Sequence, residues 1–263
     1  MHWSYPKEGS ILQTIRGKNV ALEEQGLKLP SPTKTGTTIV GIVFKDGVVI
    51  GADTRATADQ QVLDKNCFKI HYLAPNMNCC GAGTAADTKF TNDLVSSQLE
   101  LHRLSTGRES RVVTALTLLK RILFKHQGNI SAFLILGGYD VTGPKLYTIA
   151  SQGNTDNVPF TTMGSGSLAA MSMLESRWKK DMERQEAIDL VKDALEAGVF
   201  NDLGSGGAVN IAIIEKGKTE LKMEYSKPER EPKCRSYKFA RGSTAVLNSS
   251  TVTVAEGDAM DTS

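Results

Sequence analysis

Residues 34–54 read KTGTTIVGIVFKDGVVIGADT, and this stretch decides how the rest of the chain is read. Two runs rich in β-branched residues, TTIVGIVF from Thr37 and GVVIGADT from Gly47, meet at Lys45-Asp46-Gly47. Asp-Gly between such runs predicts a tight β-hairpin. The 36 residues ahead of it are polar, aperiodic and end in LPSPTKTG. Proline, lysine and glycine there read as a loop or a removable leader, although a plain terminal tail has the same composition.

Downstream, CFKIHYLA (67–74) and CCGAG (79–83) predict a second hairpin through PNMN. Two helical patterns follow. Residues 84–105 place Ala86, Phe90, Leu94, Leu99 and Leu101 roughly on one side, and 110–127 do the same with Val113, Leu116, Leu119, Ile122 and Leu123. Gly107 and Gly128 are expected to close them. Strand-like runs return at ISAFLILGGYD, KLYTIAS and VPFTTMG, two further helices are expected over 166–200, and residues 207–225 read as a last hairpin. Helices in pairs with hairpins between them do not suit a βαβ parallel sheet. They suit an α+β architecture, antiparallel sheets held between helix layers.

Bulk properties narrow the function. The chain has 263 residues, 31 basic against 29 acidic, so no surface for nucleic acid or anionic membrane is indicated. No run approaches the roughly 18 apolar residues of a membrane span, and the N-terminus lacks an apolar signal core. Cys67, Cys79, Cys80 and Cys234 include no C-x-x-C pair, and His2, His71, His102 and His126 are scattered. Reduced thiols of an intracellular protein are expected, and no metal site.

Two glycine patterns, GAGTAA (81–86) and GSGSLA (164–169), fit G-x-G-x-x-A after a strand and before a helix. Neither sits in a βαβ unit, so a dinucleotide-binding oxidoreductase is set aside. The glycines read instead as points where backbone passes close by or where bare N–H groups face an anion. G-x-S-x-G is absent, and lone carboxylates such as Asp53 and Asp64 are not distinctive. Thr37 is the exception. A threonine hydroxyl needs a base, and a cut before Thr37 would free an α-amine beside it. That amine, with an ordinary pKa of about 7.7–8.0, suits general-base work at neutral pH. A nearby lysine would lower it further, and threonine with its own amine is a known nucleophile–base pair.

GTTIVGIVFKDGVVIGADTRAT, followed by DKNCFKIHYLAPNMNCCGAGTAADT, resembles the catalytic beta subunits of the 20S proteasome. LELHRLSTGR, LGGYDVTGPKLY, TMGSGSLAAM and AGVFNDLGSGGAV continue the resemblance in order over about residues 31–225. The NCCGAG run and the long C-terminal extension look most like the beta-two, trypsin-like class. The resemblance implies a threonine endopeptidase with the N-terminal nucleophile hydrolase fold, a four-layer αββα sandwich of two antiparallel sheets. It implies a propeptide over 1–36, cut autocatalytically between Gly36 and Thr37, a hydrolase domain over 37–225, and an arm over 226–263 contacting a neighbouring subunit. Thr37 would be the nucleophile, Lys69 the lysine that tunes the pKa of its amine and hydroxyl, and Asp53 the holder of Lys69. Ser165, Asp202 and Ser205 would orient the amine and a proton-shuttling water, and the Gly83 N–H would face the oxyanion. Substrate, lying as an added strand, would meet Thr57, Cys67, Gly81, Ala85 and Lys89.

No cofactor is implied. The implied partners are other beta subunits in a heptameric ring, alpha-subunit rings, assembly chaperones, regulatory caps and unfolded polypeptide substrates, in cytoplasm and nucleus. No nucleic acid or membrane partner is expected. One position departs from the class: Lys89 stands where an acidic residue usually helps accept a basic side chain, so the implied cleavage after lysine or arginine conflicts with it. Asp87, or an acid from a neighbouring subunit, is a candidate for the missing charge. The rival reading within the family is a non-catalytic structural ring subunit.

Overall fold

A computed structural model describes residues 35–58, 61–229, 236–243, 245–246 and 248–253, together with 24 and 26. The rest of the expected leader, Cys234 and residues 254–263 lie outside the described residues. The chain divides into two units, 1–228 and 229–263.

The opening hairpin forms as read. β1 (Thr38–Phe44) and β2 (Gly47–Asp53) pair antiparallel, Phe44 opposite Gly47, and all but one of their residues are buried. They lie at the centre of a five-stranded sheet, β10-β1-β2-β11-β12, built with β10 (Phe160–Gly164), β11 (Val209–Glu215) and β12 (Lys218–Ser226). A second sheet of five follows chain order, β5 (Ile70–Ala74), β6 (Met77–Gly83), β7 (Ala132–Asp140), β8 (Gly143–Ile149) and β9 (Thr155–Asn157). A short ribbon of β3 (Ala56–Ala58) and β4 (Gln61–Asp64) stands apart. Every strand pairing among the described residues is antiparallel.

The helices packed on the sheets are α1 (Ala85–Thr106), α2 (Val112–Lys125), α3 (Ser167–Arg177) and α4 (Arg184–Asn201). Three cores define four layers. Val40, Ile42 and Phe44 of β1 point to α3 and α4, meeting Leu174, Ile188 and Leu195. Ile39 of β1, with Val48, Ile50 and Ala52 of β2, points the other way, against Ile135 and Leu146 of the second sheet. That sheet turns Cys79, Leu134 and Leu136 onto Val95 and Leu99 of α1 and Leu119 and Leu123 of α2. The period-2 alternation of a strand therefore serves two cores here, which is why β1 and β2 are apolar on both faces. Each isoleucine or leucine so buried contributes about 1.5–3 kcal/mol.

Four readings need correction. β5 starts at Ile70 rather than Cys67, leaving Cys67, Phe68 and Lys69 in the approach to the strand. On α1, Phe90 and Leu101 are exposed, and the buried face is Thr88, Thr91, Asn92, Val95 and Leu99. On α2, Val113 is exposed and the inward residues are Val112, Ala115, Leu119 and Leu123. Gly107 caps α1 in the left-handed conformation, as expected, whereas α2 ends at His126, two residues before Gly128. The described part of the 229–263 unit carries no helix or strand, and its side chains, Tyr237 and Phe239 among them, are exposed.

Candidate active site

Thr37 sits at the mouth of β1, where the ends of several elements converge, and is only 2% exposed. The chain before it is intact. Thr35 bridges Gly83 antiparallel, and its hydroxyl donates to the Gly83 carbonyl at 2.6 Å. The Gly36 N–H donates to Thr57 Oγ1 at 2.9 Å. Residues 35 and 36 thus lie between β3 and the end of β6, joined to them by a single bridge and a side-chain bond. Gly83 meets them through its carbonyl, with φ at +107°, a conformation glycine adopts freely at the turn into α1.

Lys69 enters from the approach to β5. Its Nζ lies 2.8 Å from Asp53 Oδ1, 3.0 Å from Thr37 Oγ1, 2.6 Å from the Arg55 carbonyl and 3.2 Å from the Gly36 carbonyl. Thr37 Oγ1 in turn donates to the Gly36 carbonyl at 2.6 Å. Asp53, at the end of β2, is fully buried. Its Oδ1 also accepts the Thr38 N–H, and its Oδ2 accepts the N–H groups of Arg55 and Gly206. A buried ion pair is tolerable when its remaining valences are met in this way.

On the other side, Ser165 Oγ accepts the Thr37 N–H at 3.0 Å and donates to Asp202 Oδ2 at 2.6 Å. Ser205 donates to the same oxygen at 2.6 Å. With its proton so used, Ser205 can only accept from Thr38 Oγ1, 2.7 Å away. Thr38 is therefore no ordinary strand residue but a buried tie between the serine pair and Asp53. The sequence reading missed it, along with Arg55 and Gly206, whose backbone groups hold the ion pair.

The glycine patterns now have their cause. A Cβ on Gly166 would lie 2.0 Å from Thr38 Oγ1, and one on Gly164, at φ +102°, 2.0 Å from the Thr37 carbonyl. What passes close to GSGS is the chain's own Thr37-Thr38, not a nucleotide.

Beside Thr37 a cavity of about 120 Å³ is walled by Cys67, Lys69, His71, Gly81, Ala85 and Lys89, among others. Gly81 leaves its floor open, with Thr88 below. Burial raises the Cys67 thiol pKa against the pull of Lys69, so Cys67 is not poised as a thiolate nucleophile. Burial raises Cys79 and Cys80 as well. Lys89 is exposed on α1 and pairs with Asp93 at 2.9 Å. Asp87 does not wall the cavity. It accepts the Ser131 N–H at 3.0 Å.

All seven residues expected to carry chemistry are therefore close to the Gly36–Thr37 bond, and four of the five expected to meet substrate wall the cavity. The fifth, Thr57, touches Gly36 instead.

The chain matches the family described as Proteasome subunit over residues 33–214, and that described as Proteasome beta subunits C terminal over residues 229–255. It is 57% identical over 237 residues to proteasome subunit beta type-7-B of Arabidopsis thaliana, covering 90% of this chain and 85% of that protein. It is 51% identical over 241 residues to proteasome subunit beta type-2 of Saccharomyces cerevisiae, covering 91% and 92%. To proteasome subunit beta type-10 of Rattus norvegicus it is 47% identical over 232 residues, covering 87% and 85%.

Proposed function

The chain belongs to the proteasome beta-subunit family, and on that premise we propose that it is a catalytic subunit, a threonine endopeptidase acting through Thr37. One observation carries this reading: Thr37 Oγ1 stands 3.0 Å from the Lys69 ammonium at an intact Gly36–Thr37 junction, with Asp53 behind Lys69. A subunit kept only for structure has no need of a buried ammonium aimed at a hydroxyl.

Cleavage after Gly36 would turn the Thr37 N–H into an α-amine beside Oγ1, held by Ser165. The amine takes the hydroxyl proton as Oγ1 attacks a peptide carbonyl carbon. It returns that proton to the departing amine, leaving an ester on Thr37. Water then hydrolyses the ester, releasing the acid and restoring the hydroxyl. The positive charge of Lys69 favours the neutral, basic form of the amine and the developing alkoxide. The Gly83 N–H is the proposed oxyanion donor, and Asp202 with Ser205 the relay for the water proton.

Residues 1–36 then serve as a propeptide and 37–225 as the working domain. The arm from 226 onward would lie on a neighbouring beta subunit in the heptameric ring, with alpha rings, assembly chaperones and regulatory caps as further partners. Unfolded polypeptides in the cytoplasm and nucleus are the proposed substrates. The class expectation of cleavage after basic residues meets a cavity with Lys89 on its wall.

The N-terminus of the chain in assembled particles tests the reading. It is expected at Thr37. Thr37→Ala is expected to retain the leader and to lower this site's activity by at least about a thousandfold. Chains beginning at Met1 in assembled particles would favour a structural ring subunit.

A further inference from the structure

The cavity beside Thr37 is where the side chain on the acyl side of a scissile bond must go, since it adjoins the nucleophile and the backbone of Gly81 and Gly83. Its charge lining is one-sided. The ionisable side chains on its wall are Lys69, Lys89, His71 and Cys67, and no carboxylate lines it among the described residues. Lys69 is committed to Asp53 and the Arg55 carbonyl. Burial holds the His71 imidazole pKa below its ordinary value, with Lys89 adding to the effect and Asp93 opposing it. It is therefore neutral near neutral pH, and the Cys67 thiol is protonated.

Lys89 is the movable charge. Its side chain is 69% exposed, and its partner Asp93 is 62% exposed one turn further along α1. Exposed pairs of this kind are weak and exchange readily. A carboxylate entering the cavity can take the Lys89 ammonium without stranding a buried charge. An arginine or lysine entering it finds no acceptor carboxylate among the described residues of this chain, and reaches Asp93 only by displacing Lys89.

We infer that Lys89 makes this cavity anion-accepting, so that the site cleaves after glutamate or aspartate in preference to arginine or lysine. The inference rests on the peptidase reading above and assigns its substrate class.

Assembled particles with their other peptidase sites inactivated by substitution are to be assayed with peptides differing only in the residue before the scissile bond: Glu, Gln or Arg. The expected order of kcat/KM is Glu, then Gln, then Arg, with Glu over Arg by about tenfold or more, the size of one well-placed charge contact. Lys89→Glu is expected to invert the order, and Lys89→Gln to bring Glu and Arg together. A preference for Arg in the unaltered particle, or an order unchanged by Lys89→Glu, overturns the inference. Labelling of Thr37 by an electrophile that requires its free amine and hydroxyl separates the two claims. Thr37 labelled with Arg preferred sinks the specificity alone. Thr37 unlabelled, with no peptide cleaved, sinks the peptidase reading and the specificity with it.

Discussion

A Cβ on residue 36 has nowhere to go: it would lie 2.3 Å from the Cα of Gly204 and 2.5 Å from its carbonyl oxygen. Glycine before the cut is thus a packing requirement of the intact junction, set by the loop that carries Asp202 and Ser205. Gly36→Ala is expected to displace the Gly36 carbonyl from Lys69 and leave the leader attached, seen by intact mass of the assembled chain. Asp53 tests the buried pair. Asp53→Ala leaves Lys69 uncompensated, and is expected to cost about 3–5 kcal/mol in urea denaturation of the full chain. Adding Lys69→Met should recover most of that stability and none of the activity. Thr37 was legible from sequence because its chemistry depends on its neighbour in the chain, Gly36. Thr38 and Gly206 were not, because Thr38 meets Ser205 across 167 positions, and Gly206 meets Asp53 across 153.

Among elements, the long strands were readable and the helix faces were not. β1, β2, β7 and β11 are β-branched or leucine-rich and bounded by turn residues, and the structure forms all four. β3, β4 and β9 run to only three or four residues, too short for a period to emerge. α1 misled because its inward face is largely polar. Thr88 Oγ1 donates to the Ala85 carbonyl and Asn92 Nδ2 to the Thr88 carbonyl, so each of these side chains returns a donor to its own helix while packing inward. Phe90, spaced like a core residue, is left in the open. Phe90→Ser is therefore expected to change the stability of the chain by no more than about 0.5 kcal/mol. Leu99→Ala, on the same helix, is expected to cost about 2–5 kcal/mol. Thermal unfolding of the two variants side by side decides which face is the core.

At the scale of the whole molecule, antiparallel sheets between helix layers were legible from the grouping of helices in pairs and the four layers from the family resemblance, while the sharing of one apolar strand between two cores was not. The 229–263 unit has no regular structure among its described residues and none of their side chains buried. Removing residues 229–263 is expected to leave the denaturation midpoint of the remaining chain nearly unchanged and to lower its incorporation into rings, measured by native gel. Normal incorporation would remove the arm from the assembly account. At the other end of the chain, Lys69 has three N–H bonds to give and four oxygens within reach: Asp53 Oδ1, the Arg55 carbonyl, Thr37 Oγ1 and the Gly36 carbonyl. The uncut protein is oversubscribed at its central cation. The proposed release of the leader would withdraw one claimant and leave three donors for three acceptors, so maturation would also steady the ammonium against the nucleophile it serves.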